Sequence, residues 1–378
     1  MYQSDHLPEE LNTILSENAE KIKTPLILFS KKQLQYNYKF FKEEFKVNNK
    51  VYYPVKANNT DAVIDILKDQ GSSFEIASLG ELEMLKKRGV PADRIISSNP
   101  VKMRSHITAA YAYGIRTFAF DSESELIKLN KLAPGSDVFI RLSVDNEGAE
   151  WKLNGKFGVP YEEAICMLQK AKNYGLNPVG LAFHIGWNNS NIKTWKIEVN
   201  KAVELVEKCF DNDIEIKFLN IGGGFPAHNN DPYVYLKKIS AHISPLLIDL
   251  KERFGVDIYS EPGSFMVANT AVLVAEIIDV IERGDDTWVY INTGICQGFY
   301  WVFEDIKYNI LYPYDSDSGL KSYIVTGPTC DSHDVFTYNG LFPDQIKEGD
   351  RLLIYPAGAY ITSAKEYNGF SYPETLVL

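Results

Sequence analysis

Lys56 closes an apolar run, Tyr52-Tyr-Pro-Val-Lys56-Ala-Asn. An amine at the end of a hydrophobic segment loses part of its hydration. Its pKa falls, and it can then form an imine with a carbonyl compound. A lysine that only snorkels to a rim would sit in similar surroundings, so its company decides. Glu75, Asn99, Asp121, Arg141, His184, Gly222–Gly224 and Glu261 stand at the ends of seven further apolar runs. The three glycines of Asn220-Ile-Gly-Gly-Gly-Phe225-Pro226 let backbone N–H groups close on an anion. Glu261, in Ser-Glu-Pro-Gly, offers a carboxylate able to keep a heterocyclic nitrogen protonated. His184, in His-Ile-Gly-Trp, offers a flat ring for stacking on an aromatic group.

The elements that position these groups follow from periodicity. The runs Val51–Ala57, Ser73–Ser78, Ile95–Asn99, Thr117–Asp121, Val138–Val144, Gly180–Gly186, Phe218–Gly223 and Ile258–Gly263 read as strands. Segments with helical spacing lie between them, among them Asp61–Gln70, Leu79–Arg88 and Tyr161–Asn173. Eight strands alternating with helices predict an α/β fold, a (β/α)8 TIM-type barrel over residues 30–268, in preference to a doubly wound sheet. In such a barrel chemistry gathers at the C-terminal ends of the strands, where the polar residues above fall. Past about residue 268 the texture changes. The runs Val272–Val280, Trp288–Ile291, Ser322–Val325, Arg351–Tyr355 and Glu374–Leu378 predict a second, mostly antiparallel β domain over residues 269–378. Residues 1–29 are assigned to it, because Pro25–Phe29 precedes the barrel without a helix partner and can pair with that sheet.

Composition narrows the classes. The 378 residues carry a net charge of -11, which opposes nonspecific nucleic-acid binding and permits cationic partners. No apolar run approaches the roughly 20 residues of a membrane span. Cysteines 166, 209, 296 and 330 have no zinc spacing, so no metal is expected and a reducing cytoplasm suits them.

Ten motifs in order resemble the fold-type III pyridoxal-phosphate decarboxylases of basic amino acids, and among them ornithine decarboxylase most. They are Tyr53-Pro-Val-Lys56-Ala-Asn, Phe74-Glu-Ile-Ala-Ser, Ile96-Ser-Ser-Asn-Pro, Phe120-Asp-Ser-Glu, Lys156-Phe-Gly158, His184-Ile-Gly, Ile221-Gly-Gly-Gly-Phe-Pro226, Glu261-Pro-Gly, Gly327-Pro-Thr-Cys330-Asp-Ser, and Gly358-Ala-Tyr360 followed by Asn368-Gly-Phe. The resemblance implies pyridoxal 5'-phosphate as cofactor, held by Lys56 as an imine. It implies His184 stacked on the ring, Glu261 at the pyridine nitrogen, and Gly222, Gly223, Gly224 and Tyr360 at the phosphate. Glu75 and Arg141 fall close to the cofactor, and Cys330 returns a proton to the substrate carbon.

It further implies a homodimer with shared sites, in which Lys156 of one chain meets Asp334 of the other. Asp331 and Asp305 would receive the distal ammonium of an amino acid substrate, ornithine first, with lysine, arginine, diaminopimelate or carboxynorspermidine as alternatives. Asp305 read alone is an exposed acid at a helix start. A racemase on the same barrel is disfavoured by Gly-Pro-Thr-Cys330. Two positions depart from the family pattern. Ser264 stands where Glu-Pro-Gly is usually followed by arginine, and Trp187 replaces a serine three residues after the histidine. A phosphate contact is thereby lost, with Asn188 and Asn189 as neighbours able to replace it. The same departures would suit a non-catalytic, antizyme-inhibitor-like binding protein, a reading opposed by Lys56, Glu261 and Cys330.

Overall fold

The computed structural model describes residues 7–47, 49–152, 155–228, 231–314, 318–367 and 369–378. The chain forms two compact units, one from residues 35–265 and one from residues 1–34 with 266–378. The first strand, β1 (Leu26–Phe29), belongs to the second of these. Eight strands close a parallel barrel in sequence order: β2 (Asn49–Pro54), β3 (Ser73–Ile76), β4 (Ile95–Ser97), β5 (Thr117–Phe120), β6 (Asp137–Arg141), β7 (Asn177–Ala182), β8 (Phe218–Asn220) and β9 (Asp257–Ser260). The expected barrel is present. β9 pairs back to β2 through Asn49↔Ile258 and Val51↔Ser260.

Tyr52, Ile96, Ala119, Phe139, Val179, Ala182 and Phe218 come from six strands yet form one buried cluster with Tyr259. Residues from opposite sides of a barrel can meet only in its interior. Phe218 stacks on Tyr259 at 4.3 Å between ring centroids, and Gly180 makes room for it, since a Cβ there would lie 2.4 Å from the Phe218 ring. The floor is therefore filled, and nothing can pass through it. Strand side chains alternate in and out. Two or four residues past the floor positions come Lys56, Ser98, Asp121, Arg141, His184, Asn220, Gly222 and Glu261. Alternation that fills the floor thus also aims the polar residues at the mouth.

The second unit carries β10 (Ala271–Arg283), β11 (Asp286–Ile291), β12 (Asn309–Leu311), β13 (Leu320–Thr326), β14 (Val335–Pro343), β15 (Arg351–Tyr355), β16 (Glu366–Tyr367), β17 (Phe370–Ser371) and β18 (Glu374–Val377). Its large sheet runs β12-β15-β10-β11-β13-β14, and β1 lies between β10 and β18. β1 pairs antiparallel with β10 and parallel with β18, so Leu26–Phe29 of the run Pro25–Phe29 joins this sheet. The helix Glu9–Asn18 follows Pro8 and has Glu9 and Glu10 in its first turn, where acids suit the helix dipole. Leu7, Leu11 and Leu15, spaced by four, pack on Leu28, Val272, Val274 and Leu353. No helix among the described residues is long and apolar enough to cross a membrane.

Candidate active site

Lys56 sits in a single 3-10 turn, Val55–Ala57, directly after β2. Its Nζ lies 3.1 Å from Glu75 Oε2 on the neighbouring strand, where Pro54 and Glu75 are register partners. The lysine side chain is half-exposed, whereas Glu75 is 1% exposed. Burial pushes the Glu75 carboxyl up to about 7; Lys56 opposes this, and Glu261 and Glu81 add to it.

Glu261 is fixed from one side only. Its Oε1 accepts from the Ser98 hydroxyl and the Asn220 amide, both at 2.7 Å. Its Oε2 meets no donor among the described residues. Asn220 in turn accepts from the Gly222 N–H at 2.9 Å, so one side chain orients both carboxylate and glycine turn. Ser98 takes the place that the sequence reading gave to Asn99. Asn99 points the other way and donates to the Ala77 carbonyl at 3.3 Å. Strand alternation explains the exchange, because Ser98 shares the inward face of Ile96.

His184 is half-buried, and desolvation of its ring together with Arg141 and Lys56 holds it well below the usual histidine range, so the ring is neutral. Its Nδ1 accepts the Gly186 N–H at 3.1 Å, which places the ring proton on Nε2. Burial also lowers the Arg141 guanidinium, opposed by Glu261, Asp121 and Glu75. Asp121 accepts from the Gly158 N–H at 3.0 Å.

The glycine turn is a tight cradle. A Cβ at Gly222 (φ +69°) would stand 2.0 Å from the Phe183 carbonyl oxygen, and one at Gly224 (φ +95°) 2.1 Å from that of Gly186. The N–H groups of Gly223 and Gly224 find no acceptor among the described residues. Beside this turn the two departures meet: the Trp187 indole donates to the Ser264 hydroxyl at 3.1 Å. The side chains of Asn188 and Asn189 are engaged within the chain. Asn188 accepts from the Ala227 N–H at 2.7 Å and donates to Glu150 at 2.6 Å. Asn189 donates to the Ile185 and Glu147 carbonyls.

The other predicted residues, Lys156 excepted, lie in the second unit. Cys330 is exposed on the β13–β14 loop. Asp331 beside it accepts from the His333 N–H at 2.9 Å, the His333 ring at 3.0 Å and the Tyr367 hydroxyl at 2.9 Å. These bonds hold its carboxyl below the usual range. Asp305 is exposed and follows the turn Tyr300–Glu304 with φ 59°, so it ends a 3-10 turn rather than starting a helix. Tyr360, also left-handed at φ 59°, meets Trp301 edge-on at 5.5 Å. Asn368 lies outside the described residues.

Asp334, expected to face a partner's lysine, is 3% exposed. It accepts from Ile295 N–H at 2.8 Å and the Thr329 hydroxyl at 2.7 Å. Gly294 and Gly327 clear the space it fills. Its observed task is to brace the Cys330 loop of its own chain. Lys156 is exposed, with its ammonium 5.1 Å from the centre of the Phe157 ring.

Residues 31–268 match the family described as pyridoxal-dependent decarboxylase, pyridoxal binding domain. The chain belongs to the pyridoxal-dependent decarboxylases. It is 33% identical over 368 residues to the lysine/ornithine decarboxylase of Selenomonas ruminantium, covering 95% of this chain and 91% of that one. With Mus musculus ornithine decarboxylase it shares 30% over 341 residues, or 85% and 74% of the two chains. The crystal structure of the Vibrio vulnificus lysine/ornithine decarboxylase complexed with putrescine matches at TM-score 0.89 and 28% identity, over 98% and 99% of the chains. The protein is therefore a pyridoxal-phosphate-dependent carboxy-lyase of a basic amino acid. Its residues fit the cofactor: a lysine amine at the barrel mouth, a buried carboxylate with one oxygen unengaged among the described residues, and a glycine turn offering N–H groups to an anion.

Proposed function

We propose that this decarboxylase converts L-ornithine to putrescine, with L-lysine as its second substrate, in a homodimer whose sites take residues from both chains. The observation that carries the reading is Asp331, a carboxylate held ionised one residue from Cys330. Together with exposed Asp305 it gives two acids for one distal ammonium, and charge-assisted bonds are strong and directional. Lysine is retained because the Selenomonas and Vibrio relatives are named for both amino acids.

Bound pyridoxal phosphate supplies an electron sink for the carbon that loses carbon dioxide. The chain's own residues do the rest. Lys56 Nζ holds the cofactor, and Glu75, 3.1 Å away, takes up the proton that the amine must lose. Glu261 Oε2 holds a proton on the ring nitrogen, because Ser98 and Asn220 fix its other oxygen. Neutral His184 gives the ring an uncharged face. Cys330 Sγ of the partner chain gives its proton to the substrate carbon, and Asp334 steadies that loop. Lys156 is assigned to the subunit boundary.

Turnover against ornithine, lysine, arginine, diaminopimelate and carboxynorspermidine tests the substrate. One methylene separates ornithine from lysine and discriminates by about 1–3 kcal/mol, so lysine should follow within roughly 10- to 200-fold. Best turnover of arginine or diaminopimelate would overturn the reading. The shared site is tested by mixing Lys56→Ala and Cys330→Ala proteins. With free exchange about half the dimers are hybrids with one intact site, so activity should return to about a quarter of wild type. No recovery despite proven exchange refutes it.

A further inference from the structure

The glycine turn lies between two segments of the barrel unit. On one side runs His184–Trp187, whose Gly186 carbonyl abuts Gly224. On the other runs Glu261–Ser264, whose Glu261 N–H donates to the Gly222 carbonyl at 2.7 Å. Trp187 and Ser264 are 9% and 8% exposed, and their side chains bond across this gap at 3.1 Å. An indole N–H can only donate, so the Ser264 oxygen is the acceptor and its own proton is turned elsewhere. That proton finds no acceptor among the described residues. Neither do the N–H groups of Gly223 and Gly224. Three donors carried by the turn and its flanking segment are thus left without an acceptor among the described residues, and none of them is a cation.

We infer that Trp187 is a positioning residue that aims the Ser264 hydroxyl, with the Gly223 and Gly224 N–H groups, at the phosphate of the cofactor. The inference rests on the cofactor assignment made above and adds how this chain grips the anion. Trp187 also packs on His228, with ring centroids 4.8 Å apart, which holds the indole in place. A neutral cradle binds by direction rather than by charge. Losing one aimed donor therefore costs phosphate affinity without touching the rest of the cofactor.

The test compares pyridoxal phosphate with pyridoxal, which lacks the phosphate, as ligands of the full chain freed of cofactor, read by cofactor absorbance. Ser264→Ala should weaken pyridoxal phosphate about ten- to a hundredfold, the range for one lost hydrogen bond to a charged group. It should leave pyridoxal affinity within about twofold. Trp187→Phe keeps an apolar ring and should do the same. Because the indole acts through the serine, the double variant should lose no more than Ser264→Ala alone. Equal weakening of both ligands, additive losses, or unchanged affinities would overturn the inference and leave the cofactor assignment standing. Wild-type protein that binds neither aldehyde would overturn the assignment itself. Should Trp187→Phe fail to fold, Ser264→Ala with the two ligands still decides.

Discussion

Glu75→Gln isolates the least comfortable charge in the barrel. Glu75 is 1% exposed, and burial lifts its carboxyl to about 7 from an ordinary 4.5. Between those values the native chain keeps a proton that the unfolded chain has released, so native stability falls as pH rises through that window. The rise is equivalent to about 3 kcal/mol between full protonation and full ionisation. Lys56 returns little, since its side chain is half-exposed and such pairs contribute at most about 1 kcal/mol. Glutamine keeps the shape and never ionises. Relative to wild type, the cofactor-free Gln variant should therefore gain about 2–3 kcal/mol on going from pH 5 to pH 8. Urea denaturation at the two pH values measures the difference. Difference infrared spectra of the two proteins should show one protonated carboxyl that disappears near pH 7. A variant effect that is the same at both pH values, or a carboxyl already ionised at pH 5, would refute the reasoning.

Gly222→Ala places a Cβ 2.0 Å from the Phe183 oxygen at φ +69°, which should cost at least about 2 kcal/mol, visible as a lower melting temperature and lost cofactor retention. Asp334→Ala strands the buried Ile295 N–H, at about 1–3 kcal/mol; the melting temperature should drop by several degrees, and less for Asp334→Asn. Lys56→Ala should remove cofactor absorbance and turnover together, and retention of either would contradict its assignment. Cys330→Ala should keep the absorbance and shift products toward aldehyde, because the substrate carbon loses its proton donor.

Periodicity made the barrel legible, yet the predicted runs overshoot the strands. Val51–Ala57 ends as a strand at Pro54, and Gly180–Gly186 ends at Ala182. The extra residues continue the inward alternation after the ladder has stopped, and they are the ones that carry chemistry. Asn99 is read as the end of its run, although counting by two from Ile96 selects Ser98. Strand β14 is not among the predicted runs, and its centre holds Asn339-Gly340, a pair typical of hairpin turns. In the fold the strand runs through it with irregular register, Gly340 opposite Tyr323. The inward turn of Asp334 had no signal in sequence, since it depends on Gly294, forty residues upstream. Nor could spacing reveal that Trp187 and Ser264, two separate departures, bond to each other.

The placement of β1 bears on how the chain is made. Leu26–Phe29 are four apolar residues whose antiparallel partner begins at Ala271, 242 residues beyond Phe29, and whose parallel partner begins at Glu374. At about 5–20 residues per second, β1 leaves the ribosome roughly 10–50 s before β10 exists to pair with it. The barrel, contiguous from residue 35 to 265, is complete in sequence before that partner appears. The earliest strand thus joins among the latest, and until then it is an unpaired hydrophobic edge. The nascent chain should consequently depend on chaperone cover over Leu26–Phe29, and slowing elongation ahead of residue 271 should favour aggregation over yield.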